Sequence, residues 1–162
     1  MSFGPTGQGS CDLLVELART KHYVLYIDRR CSLLAAQRTR SSFDELNEVE
    51  ACFAQIEDAL KRIPRSRYRL FVDTRSGPLR NDSAFEAALH QHRGKLLFGF
   101  AKNAALAATA SGCLQIQRFA RVDGRRVFAT EDPVAAFDYL EIPYHHLDPF
   151  VVSEEAAGRA ER

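Results

Sequence analysis

The chain has 162 residues, 46% hydrophobic and 27% charged, and its 22 Lys and Arg nearly cancel 21 Asp and Glu for a formal net charge of +1. This length suits one domain with a substantial core, and the balanced charge gives no overall attraction for nucleic acid or an anionic membrane. No apolar run is long enough to cross a bilayer, and the start MSFGPTGQGSC has neither a basic leader nor an apolar signal core, so a cytoplasmic location is expected.

Residues 1–10 contain three glycines and a proline, which predicts a flexible leader before a domain spanning 11–141. From Cys11 to Ala18, Leu13, Val15 and Leu17 alternate as in a half-buried strand. Tyr23 to Ile27 is β-branched and aromatic, Asp28-Arg29-Arg30 turns the chain, and Leu33 to Thr39 runs back as the hairpin partner. A helix then opens on Ser42 with Glu45 as its capping box, and Phe43, Leu46, Val49, Phe53, Ile56, Leu60 and Ile63 recur at helical spacing until Pro64.

Tyr68 to Asp73 reads as a buried strand ending on an acid, followed by a loop from Thr74 to Asp82 that carries Gly77 and Pro78. Ser83 with Glu86 fits a second capping box, and the helix it predicts runs to Phe98 with Phe85, Ala88, Leu89, Leu96 and Leu97 on its apolar face. Gly99 suits the helix end. Asn103 to Thr109 is alanine-rich, which fits a helix by propensity and also a strand buried on both faces. The alternation of elements selects the strand. Ser111-Gly112 then opens a helix with Leu114, Ile116, Phe119 and Val122, Arg125 to Ala129 forms a strand, and Asp132-Pro133 caps a last helix lined by Val134, Phe137 and Leu140. Residues 142–162 read as a partly ordered tail.

This order predicts an α/β domain: a mostly parallel sheet of about five strands with an antiparallel N-terminal hairpin, flanked by about four helices. In such folds ligands and partners meet the loops at the carboxyl ends of the strands, which selects the stretch RLFVDTRSGPLRNDSAFEAAL, Arg69 to Leu89. From Tyr23 to Leu140 the order of elements, together with this stretch, resembles the SpoIIAA-like (STAS) family of anti-sigma-factor antagonists. In that family a strand-end Asp leads to Asp-Ser-Ser-Gly at a helix start, whose second Ser is phosphorylated. The resemblance lays Asp73 on the strand-end acid and Asn81-Asp82-Ser83-Ala84 on the tetrapeptide, which makes Ser83 the phosphorylation candidate. Only one Ser is present, Ala84 stands at the Gly, and the loop is one residue longer.

The resemblance implies a non-enzymatic, bacterial protein-interaction module, a signalling regulator or assembly component. Its partner would sit on the 73–85 loop and following helix, with Asp73, Arg75, Arg80, Asp82 and Phe85 as contact residues. The alternatives are a small-molecule or lipid carrier, whose apolar cavity would border residues 104–108, and a self-assembling structural protein.

The residues themselves keep simpler readings open. Ser83 at a helix start is also an ordinary cap, and the charged cluster of the loop is also a solvated surface. His90 and His92, two apart on a helix, point to different faces; His145 and His146 lie near Asp148 without a further ligand in sequence. Cys11, Cys31, Cys52 and Cys113 form no CxxC pair and read as reduced thiols. Arg118, Arg121, Arg125 and Arg126 form a local basic group that reads as a solvated helix end rather than a nucleic-acid patch. No nucleophile elbow or phosphate loop is present, so neither catalysis nor a cofactor is expected.

Overall fold

A computed structural model describes residues 14–78, 80 and 82–143. Among these, six strands form one sheet in sequential order: β1 (Val15–Arg19), β2 (Tyr23–Asp28), β3 (Leu33–Arg38), β4 (Arg69–Asp73), β5 (Lys102–Leu106) and β6 (Phe128–Thr130). β1, β2 and β3 pair antiparallel, and β3 to β6 pair parallel. The four helices are α1 (Leu46–Leu60), α2 (Ser83–Leu97), α3 (Ala110–Val122) and α4 (Pro133–Leu140). The result is the expected α/β architecture, a hairpin extended by parallel strands, with a sixth strand only three residues long. The alanine-rich segment is a strand, as the alternation of elements selects.

Each parallel strand is added beside the previous one, and the right-handed crossover rule then puts the connecting helices on one face. There Val49, Phe53 and Ile56 of α1 and Phe85, Leu96 and Leu97 of α2 bury Leu25, Leu34, Ala36 and Leu70. On the other face α4 sets Ala136, Phe137 and Leu140 against Leu33, Ala35, Phe71 and Ala104. Ile142, assigned from sequence to the tail, is 4% exposed and completes this second cluster. The leader, Cys11, most of the tail and the His145-His146 pair lie outside the described residues.

Three helix starts differ from the sequence reading. α1 begins on a Glu45–Glu48 capping box rather than Ser42–Glu45; the Ser42 carbonyl instead faces the His22 ring at 3.0 Å. The Glu48 carboxylate accepts the backbone N–H groups of Glu45 (3.1 Å) and Asp44 (2.6 Å) and the Lys21 ammonium (3.2 Å). These contacts hold its pKa at about 2, against an ordinary 4.5. A carboxyl depressed on folding stabilises fully above its unfolded value and loses that contribution as pH falls through the folded value. Glu48→Gln is therefore expected to flatten the decline in stability between pH 4.5 and 2, read from urea melts across that range.

α2 is capped by Asp82, whose carboxylate accepts the Phe85 N–H at 3.0 Å, and not by Ser83, the first helical residue. α3 is capped by Thr109, whose hydroxyl oxygen accepts the Gly112 N–H at 3.0 Å. In both cases the capping side chain comes immediately before the helix, one residue ahead of Ser83 and two ahead of Ser111. Asp82→Ala is expected to lower Tm by about 2–4 °C, and Ser83→Ala by about 1 °C or less, in calorimetric scans.

Candidate functional site

The carboxyl ends of β3, β4 and β5 lie where α2 and α3 begin. These two helices are joined by long side chains. Arg93 of α2 directs Nε (2.6 Å) and Nη2 (3.1 Å) to the Asp123 carboxylate just past α3, and His90 bonds the same carboxylate. Arg118 of α3 reaches Glu86 of α2 at 3.5 Å. The Asp123 side chain is fully buried. Burial pushes its pKa up, but Arg93 and His90 outweigh this and hold it below its usual value.

Between the bridged helices is a cleft of about 390 Å³. Its aromatic and aliphatic wall is Tyr23, Phe43, Phe85, Leu89, Ile116 and Phe119, and its basic wall is Arg38, Arg75, Arg80 and Arg93. Beneath it lies an apolar chamber of about 120 Å³, which shares Leu89, Ile116 and Phe119 and is closed by Phe53, Val72, Ala105 and Val127. The small side chain of Ala105 leaves room for this chamber. Helical periodicity predicts Leu89, Ile116 and Phe119 as core residues, yet all three are only half-buried, because they border open space. Leu114 and Val122, assigned to the same apolar face from sequence, point outward with 66% and 68% exposure.

The expected contact residues divide around the cleft. Arg75, Arg80 and Phe85 line it. Asp73 is 3% exposed and grips Arg75 through two bonds, 3.0 Å to Nε and 2.9 Å to Nη2. Asp82 pairs with Arg80 Nε at 2.5 Å, and Arg80 also donates to the Phe43 carbonyl and stacks over the Phe85 ring. Phe85 is 6% exposed and belongs to the core. Ser83 is exposed and outside the cleft lining, and its hydroxyl has no hydrogen bond among the described residues.

The most consequential residue was not singled out from sequence. Arg38 ends β3 and, by strand alternation, shares the helix-covered face with Leu34 and Ala36. It is 8% exposed. Its Nη1 donates to the carbonyls of His22 (3.0 Å), Thr39 (3.2 Å) and Ser41 (2.9 Å), and its guanidinium lies over the rings of Tyr23 (5.3 Å) and Phe43 (4.8 Å). Gly77 lies on its stem: a Cβ there would come within 2.5 Å of Arg38 Cγ. Burial lowers the Arg38 pKa, though an arginine stays charged at neutral pH.

Other groups named from sequence have local roles. His92 stacks on Phe53 at 5.4 Å. Arg125 donates to the Gly94 carbonyl and Arg118 lies over Phe119, so the basic group is divided among separate contacts. The described cysteines, Cys31, Cys52 and Cys113, are free. Burial raises all three thiols, Cys31 beside Asp28 to about 12, which makes them poor nucleophiles. Among the described residues no helix is long and apolar enough to cross a membrane.

Fold and cleft together define an α/β chain with a basic, apolar-floored cleft at the carboxyl edge of its parallel strands. No family model, curated protein or solved structure matches the chain.

Proposed function

We propose that this protein is a non-enzymatic binding module that holds a small ligand in the cleft between α2 and α3. The observation that carries this reading is the half-burial of Leu89, Ile116 and Phe119 around an open volume of about 390 Å³, within the range of small-molecule sites, roughly 300–1,000 Å³. An apolar wall with a few fixed polar groups is the usual make-up of such sites. Among the described lining residues there is no carboxylate, imidazole or thiol, which supports binding without chemical turnover. The neutral fluorophore N-phenyl-1-naphthylamine is expected to brighten on binding the intact protein, and Ile116→Trp, which fills the cleft, is expected to abolish the response. An equal response from the variant contradicts this site.

A second reading is the bacterial protein-interaction module that the STAS resemblance implies. It is favoured by Ser83, whose exposed hydroxyl is not needed as a cap. A phosphate there would meet the amide groups and positive end of α2. Phosphopeptide mass spectrometry of the protein from its native cells tests it, and unmodified Ser83 under all growth conditions removes the switch.

A further inference from the structure

The four arginines of the cleft are not equivalent. Arg75 and Arg93 each present the Nε–Nη2 edge of the guanidinium to an aspartate, Asp73 at 3.0 and 2.9 Å and Asp123 at 2.6 and 3.1 Å. Arg80 directs Nε to Asp82 at 2.5 Å. Arg38 bonds only through Nη1, to three backbone carbonyls. Its Nε–Nη2 edge has no acceptor, and no carboxylate lies within salt-bridge distance of it among the described residues. Neither nitrogen of that edge is among the fully buried unpartnered side-chain atoms, so the edge keeps contact with solvent and is open to an anion entering the cleft. That edge is a planar two-donor fork matched to a carboxylate.

Building on the cleft as a ligand seat, we propose that its ligand is a monocarboxylate with an apolar group: the carboxylate forks onto Arg38, and the apolar group enters the chamber beneath. Charge sets the first half of this assignment. Three of the four arginines are already neutralised, so the lining carries about one uncompensated positive charge, which a monoanion balances and a phosphate dianion exceeds. Access sets the scale, because at 8% exposure Arg38 admits a small head group rather than a protein surface. The chamber sets the second half. Its walls include Phe53, Val72, Leu89, Ile116 and Phe119, and its volume is about 120 Å³. An apolar cavity of roughly 150 Å³ holds benzene, so the chamber takes a few carbons and the wider cleft takes the remainder of the tail.

Calorimetric titration of the intact protein with octanoate, octanol, acetate and inorganic phosphate tests the assignment. Octanoate is expected to bind at least about tenfold more tightly than octanol, the size of one charge-assisted contact, and far more tightly than acetate or phosphate. Arg38→Lys, which keeps the charge and loses the fork, is expected to weaken octanoate about tenfold while octanol is unchanged. Ala105→Leu, which fills the chamber, is expected to weaken octanoate and octanol alike. Octanol binding as tightly as octanoate to the wild-type protein overturns the head-group assignment and leaves the cleft as a ligand seat. Phosphate binding more tightly than octanoate overturns it in the same way. Octanoate binding that Ile116→Trp and Ala105→Leu both leave unchanged overturns the seat itself.

Discussion

Replacing Phe71 by alanine is expected to cost about 3–5 kcal/mol of folding free energy, the range for removing a buried aromatic ring. Phe71 is fully buried at the centre of β4, on the face covered by α4. Its ring meets Phe137 edge-on with centroids 4.9 Å apart and planes at 67°, a favoured aromatic geometry. The neighbours are strand and helix side chains fixed by their own elements, so the site collapses poorly and the vacated volume persists. A domain's whole stability is only about 5–15 kcal/mol, so the variant is expected to unfold at a much lower urea midpoint by circular dichroism. Because this ring lies on the face away from the cleft, ligand affinity measured at low temperature, where the variant remains folded, is expected to match wild type. A midpoint within error of wild type contradicts the packing described for this face.

Asp123→Ala is expected to cost about 2–4 kcal/mol and, unlike the Phe71 change, to damage the cleft as well. Removing one partner of a buried ion pair leaves the other charge uncompensated, which costs roughly 3–5 kcal/mol when both are fully buried. Here the Asp123 side chain is fully buried but Arg93 retains 20% exposure and can turn partly to solvent, which reduces the penalty. The same carboxylate ties His90 and Arg93 of α2 to the end of α3. Its loss frees the spacing of the two helices, and Arg93 itself lines the cleft. Urea melts and the fluorophore titration are expected to fall together. A variant that loses stability but binds the fluorophore normally contradicts the role given to this bridge.

Most of the architecture was legible in the sequence because its signals are local. Tyr23 to Ile27 and Leu70 to Val72 are continuous apolar runs, the α1 pattern is amphipathic, and Asp132-Pro133 marks the start of α4. The alanine run at β5 has a helical propensity that burial between two layers overrides. Helix starts were less legible. Ser42, Ser83 and Ser111 all have capping chemistry, while the structure uses Glu45, Asp82 and Thr109, each immediately preceding its helix. Neighbouring cap-competent residues differ by little in free energy, so tertiary packing decides among them.

The site was legible only in part. The loop from Asp73 to Phe85 was found because strand-to-helix corners carry ligands, and three of its five expected contact residues line the cleft. Arg38 and Arg93 come from β3 and α2, 55 residues apart in the chain, and no spacing rule joins them. Strand alternation does place Arg38 on the face of Leu34 and Ala36, and a charged residue on a helix-covered face is the signal that was available. The opening between α2 and α3 depends on side-chain bridges to Asp123, which sequence periodicity does not represent. Periodicity identified Leu89, Ile116 and Phe119 as inward-facing but treated inward as sealed.

The proposed ligand seat of this protein is the cleft, with Arg38 as its anchor. The most direct measurement is the nuclear magnetic resonance of the Arg38 side-chain Nε–H group, followed with the backbone amides, during titration of the intact protein with octanoate. The expected result is a downfield shift of the Arg38 Nε–H proton on donating to a carboxylate, with amide shifts concentrated at Ala105, Ile116 and Phe119. An unmoved Arg38 Nε–H, with shifts gathered instead around Ser83 and the outer surface of α2, would contradict it.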